Sequence, residues 1–380
     1  MQLDQLVLRN VWLSSWVLSF SLLGDALLYV VLPVHADDFG VSMIVIGFLL
    51  AVNRVIRIFA YGFIANLAER IGAKRLCLIA AATASLSTFG YGLFDGVIAL
   101  TLSRMLWGLS FAALLLVTLT FATVNSEKTG ARIGISRSVE QVGPLLALTV
   151  GAWLTAIVGP RDVFIYLGIA TSFAAFLALM LNDKAQPVRL KKPIIRNVVF
   201  TRPDTLDLLI FWMGAGIDGI FLVTISLMWA QYLSVQMAIL IGGSILASRR
   251  ICEIIIAPMA GNIADKIGIR IPLLASLSLA IVGFSLVGFG LLILGSIALV
   301  LTRAALGTLF PAAVAKIYSK NKVKALARNQ TWRDIGAAIG PLIAGACLGV
   351  ISPEYMHIFV AITFSATFLI FRKSTGYKFL

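Results

Sequence analysis

Six arginines and four carboxylates fall deep inside long apolar runs of this 380-residue sequence: Arg54, Arg57, Arg104, Arg249, Arg250 and Arg303, with Asp25, Glu140, Asp218 and Glu253. Arg137, Arg333 and Asp334 lie nearer the ends of such runs, where a side chain can snorkel to water, and no lysine lies deep within a run. An ionised side chain at the centre of a lipid-facing helix costs roughly 2.5 to 3.5 kcal/mol. The deep charges are therefore expected to pair with one another or to face a water-filled cavity. Even if each deep acid takes one arginine, two arginines are in surplus. A cavity with that balance favours an anionic or carboxylate-bearing substrate, because the guanidinium offers a planar fork of donors to carboxylate or phosphate.

Spacing sorts these residues. Arg54 and Arg57 stand three apart and share a helix face, and Arg250 with Glu253 repeats that geometry. Arg250 is expected to pair with Glu253, which leaves Arg54 and Arg57 as the ligand-binding pair. Arg249 points about 100° away from Arg250. Arg104 and Arg303 each precede a glycine by one turn and suit either a structural clamp or a substrate contact. The substrate-binding candidates are thus Arg54, Arg57, Arg104, Arg250, Glu253 and Arg303. Asp25, expected beside Arg54 or Arg57, and Asp218 and Glu140 are the candidate proton carriers, since burial and neighbouring charge move a carboxylate pKa in opposite directions.

The elements that must position them are transmembrane helices. Hydrophobic residues make up 60% of the chain and charged residues 13%, mean hydropathy is +0.98, and ordinary globular domains carry about 25% charged residues. Twelve apolar runs are long enough to cross a bilayer, at 11–33, 41–65, 76–94, 97–124, 133–158, 163–182, 207–232, 237–260, 271–294, 296–317, 332–351 and 356–371. Gly295 and Ser296 mark the break between the ninth and tenth. With both termini cytoplasmic, 22 Lys and Arg fall on the inner side and Arg161 alone on the outer, as positive-inside topology requires. Trp12, Trp16, Trp212 and Trp332 then lie near inner ends, Trp153 and Trp229 near outer ones, and Trp107 is internal. The net charge of +14 is therefore a topology signal rather than a sign of nucleic-acid binding. His35 and His357 read as surface residues at outer ends. Cys77, Cys252 and Cys347 form no C-x-x-C or metal-ligating pattern, so neither a metal nor a cofactor is expected.

The chain also repeats itself. A shift of 196 sets Arg54 on Arg250, Arg57 on Glu253, Asn66 on Asn262, Glu69 on Asp265, Arg70 on Lys266 and Gly72 on Gly268. Nearby offsets set Asp25 near Asp218, Arg104 and Gly108 on Arg303 and Gly307, and Gly143-Pro144 on Gly340-Pro341. The basic, proline-bearing stretch 183–206 reads as a cytoplasmic linker between six-helix bundles at 1–182 and 207–380.

This arrangement resembles the major facilitator superfamily, an all-α fold of twelve transmembrane helices in two pseudo-symmetric bundles. Ala65, Asn66, Leu67, Ala68, Glu69, Arg70, Ile71, Gly72, Ala73 and Lys74 are similar to that family's G-x-L-A-D-R-x-G-R-K loop after the second helix. Gly261, Asp265, Lys266, Gly268 and Arg270 form a closer copy after the eighth. The eleventh span carries Gly336, Gly340, Pro341, Ala344 and Gly345, which resembles the G-x-x-x-G-P-x-x-G-G antiporter motif; the fifth keeps only Gly143 and Pro144. The resemblance implies a latching role for Glu69 and Asp265 against a helix end in the opposite half, and a conformational role for Arg70, Gly72, Lys266, Gly268, Gly143, Pro144, Gly340 and Pro341. Glycine faces let helix backbones approach and proline permits bending.

The expected function is a proton-coupled, monomeric secondary transporter of the bacterial inner membrane that exports a small anionic or zwitterionic organic molecule, such as a siderophore or metabolite, by alternating access. No P-loop is present, and no catalytic constellation points to an enzyme. The rivals are a multidrug efflux pump and an uptake system for organic anions on the same scaffold.

Overall fold

The computed structural model describes residues 2–124, 128–182, 202–348 and 350–374. Most of the linker at 183–206 lies outside the described residues. Among those described there are twelve long helical rods: α1 (Gln2–Val34), α2 (Met43–Ile71), α3 (Ala73–Leu93), α4 (Gly96–Ala122), α5 (Thr129–Val158), α6 (Asp162–Leu179), α7 (Thr205–Trp229), α8 (Val235–Ile267), α9 (Arg270–Gly288), α10 (Leu292–Ile317), α11 (Lys322–Cys347) and α12 (Pro353–Lys373). Ten are long and apolar enough to cross a membrane. The other two, α8 and α11, run for 33 and 26 residues, more than the roughly 20 that a bilayer needs. They fall below the apolar threshold because they carry Arg249, Arg250 and Glu253 in one and Arg328, Arg333 and Asp334 in the other. The protein is an all-α, multi-pass membrane protein.

The helices form two compact units. One holds α1–α4, α5 from Ser138 onward, and α6; the other holds the start of α5 up to Arg137 together with α7–α12. The helices that carry the Arg104, Asp218 and Arg303 charges are the most enclosed within them. Of the apolar window of α4, 83% is buried, and of α7 and α10 72% each, against 39% for α6, α9 and α12. In the first unit Leu27, Val31, Leu49 and Leu100 pack into one buried cluster, in which Phe164 meets Phe39 and Tyr91 edge to face.

The rods outrun their apolar stretches. Asn66, Leu67, Ala68, Glu69 and Arg70 lie in the last turns of α2, not in a loop, and Asn262, Asp265 and Lys266 likewise belong to α8. Glu, Arg and Lys are good helix formers, and a helix end beyond the hydrocarbon needs no apolar face. Each rod stops at one glycine: Gly72 at φ 88°, ψ 155° and Gly268 at φ 88°, ψ 148°. The break between α9 and α10 falls at 289–291, where Gly290 adopts φ 81°. Gly295 is instead inside α10, where a side chain would strike Val287 of α9.

Two rods change pitch partway. Residues 147–151 of α5 and 216–221 of α7 are π-helical, and such insertions are frequent at functional sites. Each lies beside a glycine contact. A Cβ on Gly143 would meet the Ser19 backbone of α1, and one on Gly340 the Ala215 backbone of α7.

Gly268 and Gly345 separate backbone conformation from packing. Gly268 has open space around it but a conformation that L-residues disfavour, whereas Gly345 has the same open space inside α11. Gly268→Ala is expected to destabilise by about 1 to 3 kcal/mol and Gly345→Ala to stabilise by about 0.5 to 1 kcal/mol, read as opposite shifts in thermal midpoint of the detergent-solubilised protein.

Candidate functional site

In the first unit the deep charges meet around Arg104 of α4, which is fully buried. Its Nη1 pairs with Asp25 of α1. Its Nε donates to the Leu49 carbonyl at 2.9 Å and its Nη2 to the Leu50 carbonyl at 3.0 Å, both on α2, and Nη2 also reaches the Tyr29 hydroxyl at 3.2 Å. Tyr29 in turn donates to the Leu50 carbonyl at 3.1 Å. The Asn53 amide lies 3.4 Å from Asp25. Gly108, one turn beyond Arg104, is where a side chain would strike the Asn53 backbone and Ile56; the arginine-to-glycine spacing therefore seats α4 directly on α2. Asp25, which the spacing placed beside Arg54 or Arg57, is thus bound to Arg104. Arg57 is buried with its guanidinium 4.5 Å from the Phe111 ring centre. Arg54 is half-buried, and Glu140 is buried at the break in α5.

The second unit repeats the design with more charge. Asp218, in the π-helical part of α7, accepts from Arg249 Nη2 of α8 at 2.8 Å and from Arg303 Nε of α10 at 2.8 Å. Glu253 accepts from Arg249 Nε at 3.1 Å and lies 3.7 Å from Arg303 Nη1. The pairing of Glu253 predicted from spacing was with Arg250; Arg249 makes the close contact instead, because four residues, not three, brings the two forks together here. Arg250 is half-buried. Arg137, expected to snorkel, is buried and donates from Nε to the Gly307 carbonyl at 3.2 Å. Asp334 is buried too and takes Arg333 at 3.0 Å.

The helix-end residues also find partners. Asp265 accepts from the backbone N–H groups of Gly130 at 2.8 Å and Ala131 at 2.7 Å, in the first turn of α5, where an anionic side chain satisfies amides with no helical acceptor. Gly261 makes this approach possible, since a Cβ there would meet the Gly130 backbone. Glu69 is half-buried, Arg70 and Lys266 are exposed, and Gly143 and Pro144 are buried.

Several residues with chemistry were missed by spacing alone. Asp204 and Asp207 form a capping box at the start of α7, and both bind Arg328 of α11 at 2.6 Å. Tyr318 donates to Asp204, and Asn329 reaches Asp207 at 3.2 Å. Burial and the Asp204 carboxylate push the Tyr318 phenol above its ordinary pKa, so it stays a donor. Burial opposes the charge on Arg328, but Asp207 and Asp204 hold its pKa above the ordinary value. The D-x-x-D pattern before an apolar run was the available signal. His357 is not a surface residue: it is fully buried between Phe221 and Phe284, with Nδ1 donating to the Pro353 carbonyl at 2.8 Å. It is buried because its face of α12 turns toward Phe221 and Thr224 of α7 and Phe284 of α9.

Residues 15–248 match the family model described as Major Facilitator Superfamily. The multidrug resistance protein MdtG of Escherichia fergusonii is 26% identical over 336 residues, covering 83% of this chain and 82% of that protein. The fold is shared with the human organic anion transporter MFSD10, at a TM-score of 0.75 and 14% identity over 95% of this chain and 98% of that one. It is shared equally with the Escherichia coli fucose:proton symporter FucP, at 0.72 and 13% over 98% and 99%.

Breaking the Arg328 cluster predicts a non-additive result. Arg328→Met leaves the buried Asp207 carboxylate without its guanidinium and is expected to cost about 3 to 5 kcal/mol. Adding Asp207→Asn to Arg328→Met should recover more than half of the lost thermal midpoint.

Proposed function

Since the chain belongs to the major facilitator superfamily and is a transporter rather than an enzyme, we propose that it exports a small anionic or zwitterionic organic molecule by proton-coupled alternating access in a bacterial inner membrane. The observation that carries the substrate class is the arginine excess: six deep arginines against four deep acids. A desolvated site with that balance repels cations and gives a carboxylate its planar fork. A carboxylate-rich siderophore or metabolite fits this class. The efflux direction is supported by the likeness to the multidrug resistance protein MdtG, and that likeness also favours a second reading, efflux of several neutral or acidic compounds through one adaptable site.

Proton coupling draws on Asp25, Glu140 and Asp218. Asp25 is the best placed of the three, because Arg104 keeps its bonds to the Leu49 and Leu50 carbonyls and to Tyr29 whether or not Asp25 is ionised. Its charge can change while the arginine stays seated. Asp265, seated on the first turn of α5, and the glycines Gly143 and Gly340, with Pro144 and Pro341, supply contacts that can open without unpicking interlocked side chains, while Gly72 and Gly268 set the turns at which α2 and α8 end. We place both termini and the linker at 183–206 on the cytoplasmic side, and the chain acts as a monomer.

Reconstituted protein tests this in two steps. A thermal-shift screen of organic anions against organic cations is expected to return stabilising anions; a preference for cations refutes the substrate class. Proteoliposomes loaded with the best anion should then release it faster under an imposed pH gradient. Asp25→Asn should cut that gradient-driven release at least tenfold, the scale of an interaction of about 1.4 kcal/mol. Release indifferent both to the gradient and to Asp25→Asn, Glu140→Gln and Asp218→Asn combined refutes the coupling.

A further inference from the structure

The two units hold the same clamp differently, and the difference points to a binding site. Asp25 with Arg104 and Asp218 with Arg303 are equivalent pairs, each joining the first helix of a repeat to the fourth. Around the first pair, the helix-2 positions 53 and 57 hold Asn and Arg; around the second, the matching positions on α8 hold Arg249 and Glu253. The clamp thus forms in the first unit with Arg57 in the slot where the second unit has Glu253. The Arg249–Glu253 pair is an addition that the fold does not require.

Asp218 is the tightly held carboxylate of this cluster, with both guanidinium groups at 2.8 Å on one oxygen. Glu253 is the looser one, at 3.1 and 3.7 Å. It springs from the same helix as Arg249, four residues on, so it can leave without separating two helices. The side chains of Arg249 and Arg303 are 15% and 10% exposed, where Arg104 is sealed at 0%. A buried ion pair is seldom more stable than an apolar pair of the same volume, so stability alone does not account for it.

We infer that Arg249 and Arg303 form a carboxylate-binding subsite which Glu253 fills as a resident surrogate, and that the carboxylate of the transported anion displaces it. This rests on the anionic substrate class proposed above. Two converging forks from α8 and α10 present a carboxylate with several N–H donors, as Glu253 already shows from inside the chain. While it is bound, Glu253 masks positive charge in the empty site; displacement makes entry selective for a group of the same chemistry. The substrate meets a competitor of fixed effective concentration, which lowers its apparent affinity by the fraction of molecules with the subsite filled.

The test uses purified full-length protein, with benzoate as the probe and benzamide as its neutral isostere, at constant ionic strength with binding read by calorimetry. Glu253→Gln is expected to bind benzoate about tenfold tighter than the parent protein, with Glu253→Ala behaving alike, and Arg249→Gln should lose benzoate binding. Benzamide binding should not respond to any of these changes. Benzoate binding that is equal in the parent and in both Glu253 variants, or that survives Arg249→Gln, overturns the surrogate while leaving the anionic class standing. Failure of both Glu253 variants to bind benzoate also overturns it, because a simple carboxylate fits the vacated subsite whatever else the natural substrate carries. A tighter grip on benzamide than on benzoate in every variant sinks both this inference and the anionic reading.

Discussion

One constraint governs this molecule: a charge taken into the membrane must bring a partner with it, whether a counter-charge, hydrogen-bond acceptors or an aromatic face. The Asp25–Arg104 and Asp218–Arg303 pairs each tie the first helix of a repeat to the fourth, and the rest of each unit is arranged to enclose them. That is why α4 and α10, which supply the arginines, are among the most enclosed rods, while α6, α9 and α12 present large apolar side chains outward. It is also why each arginine is followed one turn later by glycine. Gly108 lets α4 approach the α2 backbone, so that Arg104 reaches the Leu49 and Leu50 carbonyls.

Duplication then allowed the copies to diverge around an unchanged clamp. In the first, Arg104 is satisfied by neutral acceptors as well as by Asp25, and loss of that carboxylate's charge leaves three of them, the Leu49 and Leu50 carbonyls and the Tyr29 hydroxyl, in place. In the second, Arg303 is met by two carboxylates and shares them with Arg249. Electrostatic attraction falls slowly with distance where the dielectric is low, so the four groups respond together. A change in one ionisation state therefore has a local effect in the first unit and a collective one in the second.

Much of the architecture was legible in the residues because membrane physics leaves few options. Hydropathy and the bias of Lys and Arg yield twelve helices, and the repeat offsets align the charged positions. What escaped was rotational detail. Arg249 and Arg250 are neighbours, and only the orientation of α8 decides which one faces Asp218; a spacing rule accepting both three and four residues cannot choose. Asp204 falls within the linker bounds, Asp207 at the first position of the seventh apolar run and Arg328 between the tenth and eleventh, and nothing in those positions shows that three helix termini converge on the Asp204–Asp207 pair and bury Asp207. The helix limits slipped for a related reason. Hydropathy marks where the hydrocarbon ends, whereas the helix ends where the backbone turns, at Gly72, Gly268 and Gly290.

The placement of Asp218 joins these strands. It lies in a π-helical stretch of α7, whose backbone hydrogen bonds are spaced differently from those of the rod on either side. The same stretch meets α11 through Gly219 and Gly340, backbone against backbone. A contact of that kind has little side-chain interlocking to resist sliding or rotation, unlike the interdigitated cluster around Phe39, Tyr91 and Phe164 in the first unit. The electrostatic cluster thus acts together with the buried Ile217, Ile220 and Phe221 in setting the rotation of α7 at this level. A ligand of the kind inferred above, competing for Arg249 or Arg303, would loosen the two guanidinium contacts that hold Asp218, so occupancy of that subsite bears directly on the setting of α7.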